Sequence, residues 1–204
     1  MILESLLNKV AVNLHKYFKN TRIMAENLRS PNSFFFGFIA KRLMLVGNQK
    51  VIEDSVQRLN IKSEDKILEI GSGNGQALLE ILKKNPKQIK AIEISPIFRN
   101  HLKKKFGNKI ELFENDAKNL KDIINNNSID KILLINVIYF LNPLDLYLKE
   151  FKRILDEDGI VFIAGKLDKG NPNFDLKDFT KSVTETFAPV AIPIAKNLAS
   201  AHEI

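Results

Sequence analysis

The chain has 204 residues, 45% hydrophobic and 27% charged, with 31 Lys and Arg against 24 Asp and Glu for a formal net charge of +7. This is the composition of an ordinary soluble globular protein, and it excludes a disordered or fibrous chain; the length suits one domain with an appended cap. The absence of cysteine excludes disulfides, thiolate metal sites and cysteine nucleophiles.

A basic balance favours anionic partners, but a solvated lysine-rich surface is the preferred reading of it. No apolar run approaches the roughly 20 residues that cross a bilayer. The greasiest stretch, Phe34 to Val46, is interrupted by Lys41 and Arg42. With no basic leader or small-residue cleavage site, the expected location is the cytoplasm.

In chain order, Ile2, Leu3, Leu6, Leu7, Val10, Leu14, Tyr17 and Phe18 form one helical stripe. The polar face of that helix mixes Glu4, Asn8, Lys9 and Asn13. A mixed face favours a lid over a site rather than a helix lying on a membrane surface. Ser30-Pro31-Asn32 makes a turn, and a second helical stretch runs from about Phe34 to Leu59, interrupted at Gly47-Asn48. Residues 1–60 are therefore expected to be a helical cap.

From Lys62 the pattern changes. Short apolar runs at Lys66–Ile70, Ile89–Ile94, Lys109–Phe113, Asp130–Asn136 and Gly159–Ala164 alternate with helix-like segments near 75–84, 96–106, 117–124 and 144–155. Such alternation predicts parallel strands joined by crossovers. The nearly unbroken apolar run from Ile132 to Ile138 predicts a central strand covered on both faces. The expected fold is α/β, a three-layer sandwich with a mostly parallel, doubly wound sheet over residues 61–204.

The first strand runs straight into a glycine turn and a helix: Lys66-Ile67-Leu68-Glu69-Ile70-Gly71-Ser72-Gly73-Asn74-Gly75. Gly71, Gly73 and Gly75 allow a sharp turn and close approach of the backbone to a ligand. The following helix aims free N–H groups at whatever is bound. The dinucleotide fingerprint needs a third glycine where this chain has Gln76, and Gln76-Ala77 also excludes a phosphate loop of the Gly-Lys type. The second strand ends in Ile92-Glu93-Ile94, 18 residues beyond Gly75. A carboxylate there suits the two hydroxyls of an unphosphorylated ribose. The third strand ends in Glu114-Asn115-Asp116-Ala117, at the same rim, where an acid suits an exocyclic amine.

This ordered set closely resembles the class I S-adenosylmethionine-dependent methyltransferases over about residues 60–165. Glu69 to Gly75, Ser72 included, looks like the family's first motif, and Glu93 with Ile94 looks like its ribose-binding acid and neighbour. Asp116-Ala117 is similar to the pair that holds adenine, and Asn136 stands where the fourth strand delivers residues beside the methyl group. The turn Leu155-Asp156-Glu157-Asp158-Gly159 resembles the family's turn before the fifth strand, without its proline. Ser30 to Phe38 and Gly47-Asn48 resemble the cap of small-molecule methyltransferases. The resemblance implies S-adenosyl-L-methionine as cofactor and direct transfer of its methyl to an O, N or C atom of a small, fairly apolar acceptor. A monomer or homodimer is expected, with a small-molecule acceptor favoured over nucleic acid and peripheral membrane contact left open.

Each residue also has a plain reading. Three glycines make a tight loop in any fold, and Asp116 is a good helix cap. Glu69 and Glu93 inside apolar strands are harder to explain without a partner, because a buried charge is costly. Tyr139 and Phe140 fit a core as well as an acceptor pocket. The three histidines are scattered and make no metal site. The Lys103–Lys105 run reads as a wet helix face. After Phe187 only a short Val190–Ile194 run remains, with Pro193 inside it, so one of the family's last two strands is expected to be shortened or absent. Two rival functions share the sequence pattern: a nicotinamide oxidoreductase, and a non-catalytic module that binds nucleic acid or a partner protein.

Overall fold

The computed structural model describes residues 48–165 and 176–187, together with the isolated positions Val10 and Asn13. The rest of the expected helix 2–18, the Ser30–Asn32 turn, the phenylalanine-rich stretch and the Val190–Ile194 run lie outside the described residues.

The elements follow in order as α1 (Gln49–Arg58), β1 (Lys66–Ile70), α2 (Gln76–Leu82), β2 (Gln88–Ile92), α3 (Pro96–Phe106), β3 (Glu111–Phe113), β4 (Ile129–Ile135), α4 (Leu144–Ile154), β5 (Leu155–Ala164) and α5 (Leu176–Phe187). The five strands form one sheet in the order β3-β2-β1-β4-β5, and every neighbouring pair is parallel. The expected doubly wound sheet is present. Its switch point lies between β1 and β4, from which the chain winds outward in both directions, and ligands of open parallel sheets sit at such a point.

Alternation along the strands divides the core into two layers. Ile67, Ile89, Ala91 and Leu133 pack on one face with Ile52, Val56, Ala77, Leu78, Ile81, Leu102 and Phe106 from α1, α2 and α3. Leu68, Ile70, Ile132 and Leu134 pack on the other with Leu148, Phe151 and Ile154 of α4 and Phe179 and Val183 of α5. Period-two side chains with both faces apolar are the signature of a strand buried between helix layers.

Two expectations need correction. Residues 117–124 form a series of turns and not a helix. Ala117, Leu120 and Ile124 are buried at helical spacing, but Glu150 Oε1 accepts the Leu120 N–H at 2.8 Å, and Asn125-Asn126-Asn127 ends the segment. The tertiary bond replaces the one a helix would make. The turn expected at residues 155–159 is part of β5, whose register against β4 jumps from Ile129↔Leu155 to Lys131↔Ile160, so residues 156–159 bulge.

A buried ion pair lies against the sheet. Lys131 Nζ on β4 lies 2.6 Å from Asp65 and donates to the Asn60 carbonyl at 2.7 Å. Burial pushes the Asp65 carboxyl up, but the bonds from Lys131 and from the Lys62 N–H outweigh it and hold it below its usual value.

Candidate active site

The carboxyl ends of β1, β2, β3 and β4 meet at one rim. At the end of β1, the N–H of Gly71 donates to the Ile92 carbonyl at 2.8 Å, tying the turn to β2. Gly71, Gly73 and Gly75 all have positive φ, +72°, +51° and +74°. A Cβ at Gly75 would stand 2.5 Å from Phe106 Cε2 and 2.7 Å from Leu102 Cδ2, and one at Gly71 would stand 2.5 Å from Val137 Cγ2. Both conformation and space therefore demand glycine at these two positions.

Glu93 closes the turn. Its Oε2 accepts the Gly73 N–H at 2.7 Å and its Oε1 accepts the Ser95 N–H at 2.8 Å. The side chain is buried, which raises its carboxyl pKa in spite of the Ser95 and Gly73 amides and the nearby Arg99. Ser95 caps α3, its hydroxyl accepting from Phe98 N at 3.5 Å, with Pro96 at the first helical position. Ile94, by contrast, is 46% exposed and lies on the open side of the rim.

Beneath the turn, Glu69 is buried in β1, and neither its Oε2 nor the buried Ser72 Oγ has a hydrogen-bond partner. Burial pushes the Glu69 carboxyl up to about 7; the nearby Ser72 hydroxyl offsets part of this and the Glu93 charge adds to it. Buried polar atoms without partners are uncommon and call for an explanation.

Asp116 and Ala117 follow β3, which is in register with β2 through Ile92↔Phe113. The Glu93 N–H donates to the Phe113 carbonyl at 3.1 Å, so the third strand end adjoins the second. Ala117 is buried, while the Asp116 side chain is 44% exposed beside Lys118, at 3.4 Å. Because no helix follows, Asp116 does not cap one; its Oδ1 accepts the Lys118 N–H at 3.3 Å in a turn.

Asn136 follows β4, at φ +57°, its backbone N–H donating to the Ala164 carbonyl at 2.8 Å. Its Nδ2 donates to Asn48 Oδ1 at 3.1 Å. Phe140 is 40% exposed, and Tyr139 packs edge-on against it at 6.4 Å between ring centres. Thus all ten expected residues lie at or just beyond the ends of four neighbouring strands.

Three residues at the rim escaped the sequence reading. Gln76 is buried, its Nε2 donates to Gln49 Oε1 at 3.3 Å, and its Oε1 accepts from Asn74 Nδ2 at 3.1 Å. Gln49 and Asn48 bring the start of α1 over the turn, although Gly47-Asn48 registers in the sequence only as a helix break. Lys105 lies on the exposed face of α3, as the sequence suggests. Its Nζ donates to the Asn74 carbonyl at 3.3 Å, and burial lowers its pKa. A shallow hollow lined by Lys66, Gln88, Lys90 and Ser128 lies at the opposite edge of the sheet, where β1 and β2 begin.

Residues 68–163 match the family model for the methyltransferase domain. The match covers less than half of the chain, and over it the chain is similar to class I methyltransferase domains. The cosubstrate of this family is S-adenosylmethionine. Among curated relatives, the ribosomal RNA small subunit methyltransferase A of Persephonella marina is 38% identical over 86 residues, 38% of this chain and 32% of that protein. Its namesake in Mycoplasmopsis synoviae is 31% identical over 121 residues, 58% of this chain and 45% of that protein. The chain thus spans less than half the length of the curated relatives it matches. Among solved structures, a SAM-dependent methyltransferase from Aquifex aeolicus superposes with a TM-score of 0.55 at 20% identity, covering 71% of this chain and 80% of that one. A TehB-like SAM-dependent methyltransferase from Corynebacterium glutamicum gives 0.57 at 22% identity, covering 72% and 77%. These likenesses show the methyltransferase fold. Among the described residues no helix is long and apolar enough to cross a membrane, and no cluster of metal-ligating side chains occurs.

Proposed function

We propose that this methyltransferase domain binds S-adenosylmethionine across the glycine turn and catalyses transfer of its methyl to a small, fairly apolar acceptor. The observation that carries the reading is the pairing of Glu93 with the Gly73 amide above two buried, unpartnered polar groups, Glu69 Oε2 and Ser72 Oγ. The residues fit the cosubstrate. Each Glu93 oxygen accepts one amide and retains a lone pair, which suits two vicinal ribose hydroxyls. Glu69 offers a buried carboxyl to an ammonium, which would satisfy the group that folding leaves unpaired. Ile94 and Ala117 supply apolar walls for a purine and Asp116 an acceptor for its amine. Gly71, Gly73 and Gly75 keep the turn free of side chains.

When bound, the cosubstrate supplies an electrophilic methyl on a sulfonium. The chain's own contribution is to hold donor and acceptor in line and keep water out, which is the larger part of such catalysis. Asn136 and the aromatic pair Tyr139–Phe140 form the acceptor side, with residues 1–60 as the cap and 61–204 as the catalytic domain. The exposed Phe140 ring on the acceptor side favours an apolar acceptor.

An RNA base is the second reading, favoured by the names of the curated relatives and by the net charge of +7. Isothermal titration with S-adenosylhomocysteine tests the cosubstrate site. Tritiated methyl transfer into fractionated cell extract, with counts in the organic-soluble or the RNA fraction, separates the two acceptors. Failure to bind S-adenosylhomocysteine would overturn the reading.

A further inference from the structure

Arg99 stands where a cation is ill placed for its own helix. It lies in the first turn of α3, and the start of a helix carries the positive end of the helix dipole. Its side chain is nonetheless held against the protein, only 15% exposed. Nη1 donates to two consecutive carbonyls, Glu93 at 3.0 Å and Ile94 at 2.6 Å, in the chain that joins β2 to α3. Nη2 pairs with Glu114 at 3.0 Å, in the chain that leaves β3. One planar guanidinium thus bridges the ends of two strands from the helix that links them.

The Ile94 carbonyl belongs to the same peptide unit as the Ser95 N–H, and in a planar trans peptide the two point in opposite directions. Holding that carbonyl therefore turns the N–H away from the guanidinium, and this is the N–H that donates to Glu93 Oε1 at 2.8 Å. Burial raises the Glu93 carboxyl, the Ser95 and Gly73 amides lower it, and the Arg99 charge lowers it least, so the hold of Arg99 on Glu93 is one of geometry more than of charge. Resting on the methyltransferase reading above, we infer that Arg99 is a positioning residue for the ribose of the cosubstrate: by fixing the Ile94–Ser95 peptide it aims the Glu93 carboxylate at the two hydroxyls, and Glu114 anchors its far nitrogen. It acts through Glu93 and needs no contact with the ligand. A lysine cannot replace it, because a single ammonium has no planar fork to serve carbonyls on one side and a carboxylate on the other.

The test compares S-adenosylhomocysteine with its 2′,3′-dideoxy analogue, which lacks both hydroxyls, so the ratio of their dissociation constants reports how well the carboxylate grips the ribose. Measured by titration calorimetry on the full chain, Arg99→Gln should lower that preference roughly 3- to 10-fold, the worth of one oriented hydrogen bond, and leave affinity for the dideoxy analogue within about 2-fold of wild type. A residue that merely supported the fold would weaken both ligands alike and leave the ratio unmoved. Arg99→Lys, which keeps the charge and loses the fork, should recover only part of the loss. Glu114 is 75% exposed, so Glu114→Gln leaves folding intact; it should lower the preference about 2-fold and add nothing in an Arg99→Gln background. An unchanged ratio in Arg99→Gln, or full recovery in Arg99→Lys, overturns the inference while leaving the cosubstrate site standing. Should Arg99→Gln fail to fold, an unmoved ratio in Glu114→Gln overturns it. If the wild-type chain binds the two ligands equally well, Glu93 does not hold the ribose and the inference falls; if it binds neither, the methyltransferase reading falls with it.

Discussion

Replacement of Glu69 by Gln should make the ligand-free protein more stable, and increasingly so as the pH rises. In the unfolded chain the carboxyl ionises near 4.5, and in the folded protein burial beneath the glycine turn moves it to about 7. Below 4.5 both states hold the proton and the group contributes nothing to the pH dependence. Between the two values the folded state keeps a proton that the unfolded state has released, so stability drains away as the pH rises through that window. At roughly 1.4 kcal/mol per pKa unit, the interval amounts to about 3 kcal/mol lost by pH 8 relative to pH 4.5. Glutamine fills the same space without ionising and escapes the loss. Urea denaturation of both proteins from pH 4.5 to 8 measures it, with a common m-value showing that the denatured states are comparable. The wild type should fall behind E69Q along that series. A difference flat to within about 0.5 kcal/mol would refute the claim that burial raises this carboxyl. Binding of S-adenosylhomocysteine, whose ammonium favours the ionised carboxylate, should release a proton near pH 6, visible as buffer-dependent calorimetric heats that E69Q lacks.

Glu93→Ala should abolish measurable S-adenosylhomocysteine binding in calorimetry while leaving the far-UV circular dichroism unchanged; retained affinity would remove Glu93 from the site. Gly75→Ala should destabilise by about 2–4 kcal/mol in chemical denaturation, because a Cβ at φ +74° meets the Phe106 ring at 2.5 Å. Lys131→Ala should cost about 3–5 kcal/mol by leaving Asp65 buried without its cation, whereas the double change Asp65→Leu with Lys131→Met should recover most of the loss. Since the Asp65 carboxyl lies below its ordinary value, the stability that the pair supplies should be present at neutral pH and fall away on acidification through that lowered value, as thermal melts would show.

The physics that made so much legible in the sequence is local. Lys66–Ile70 and Pro96–Phe106 appear in the structure with the bounds their patterns predict, because period two and a Ser-Pro helix start are properties of neighbouring residues. Gly71 to Gly75 declared the turn for the same reason, and the acids at positions 69 and 93 stood out as charges set in apolar strands. Strand alternation with helices was enough to predict a parallel sheet, since no other arrangement buries both faces of such runs.

Tertiary structure decided what depends on contacts between distant segments. Residues 117–124 carry a helical spacing of apolar side chains, yet Glu150 from α4 takes the Leu120 amide and holds the segment in turns. That Asn48 reaches Asn136 rather than capping its own helix is invisible in sequence, where it has every property of an N-cap. Gln76 read only as a missing glycine, but its burial between Asn74 and Gln49 depends on where α1 packs. Local pattern sets which groups stand ready at the strand ends; only the packing of α1 and α4 against the sheet settles which hydrogen bonds those groups make.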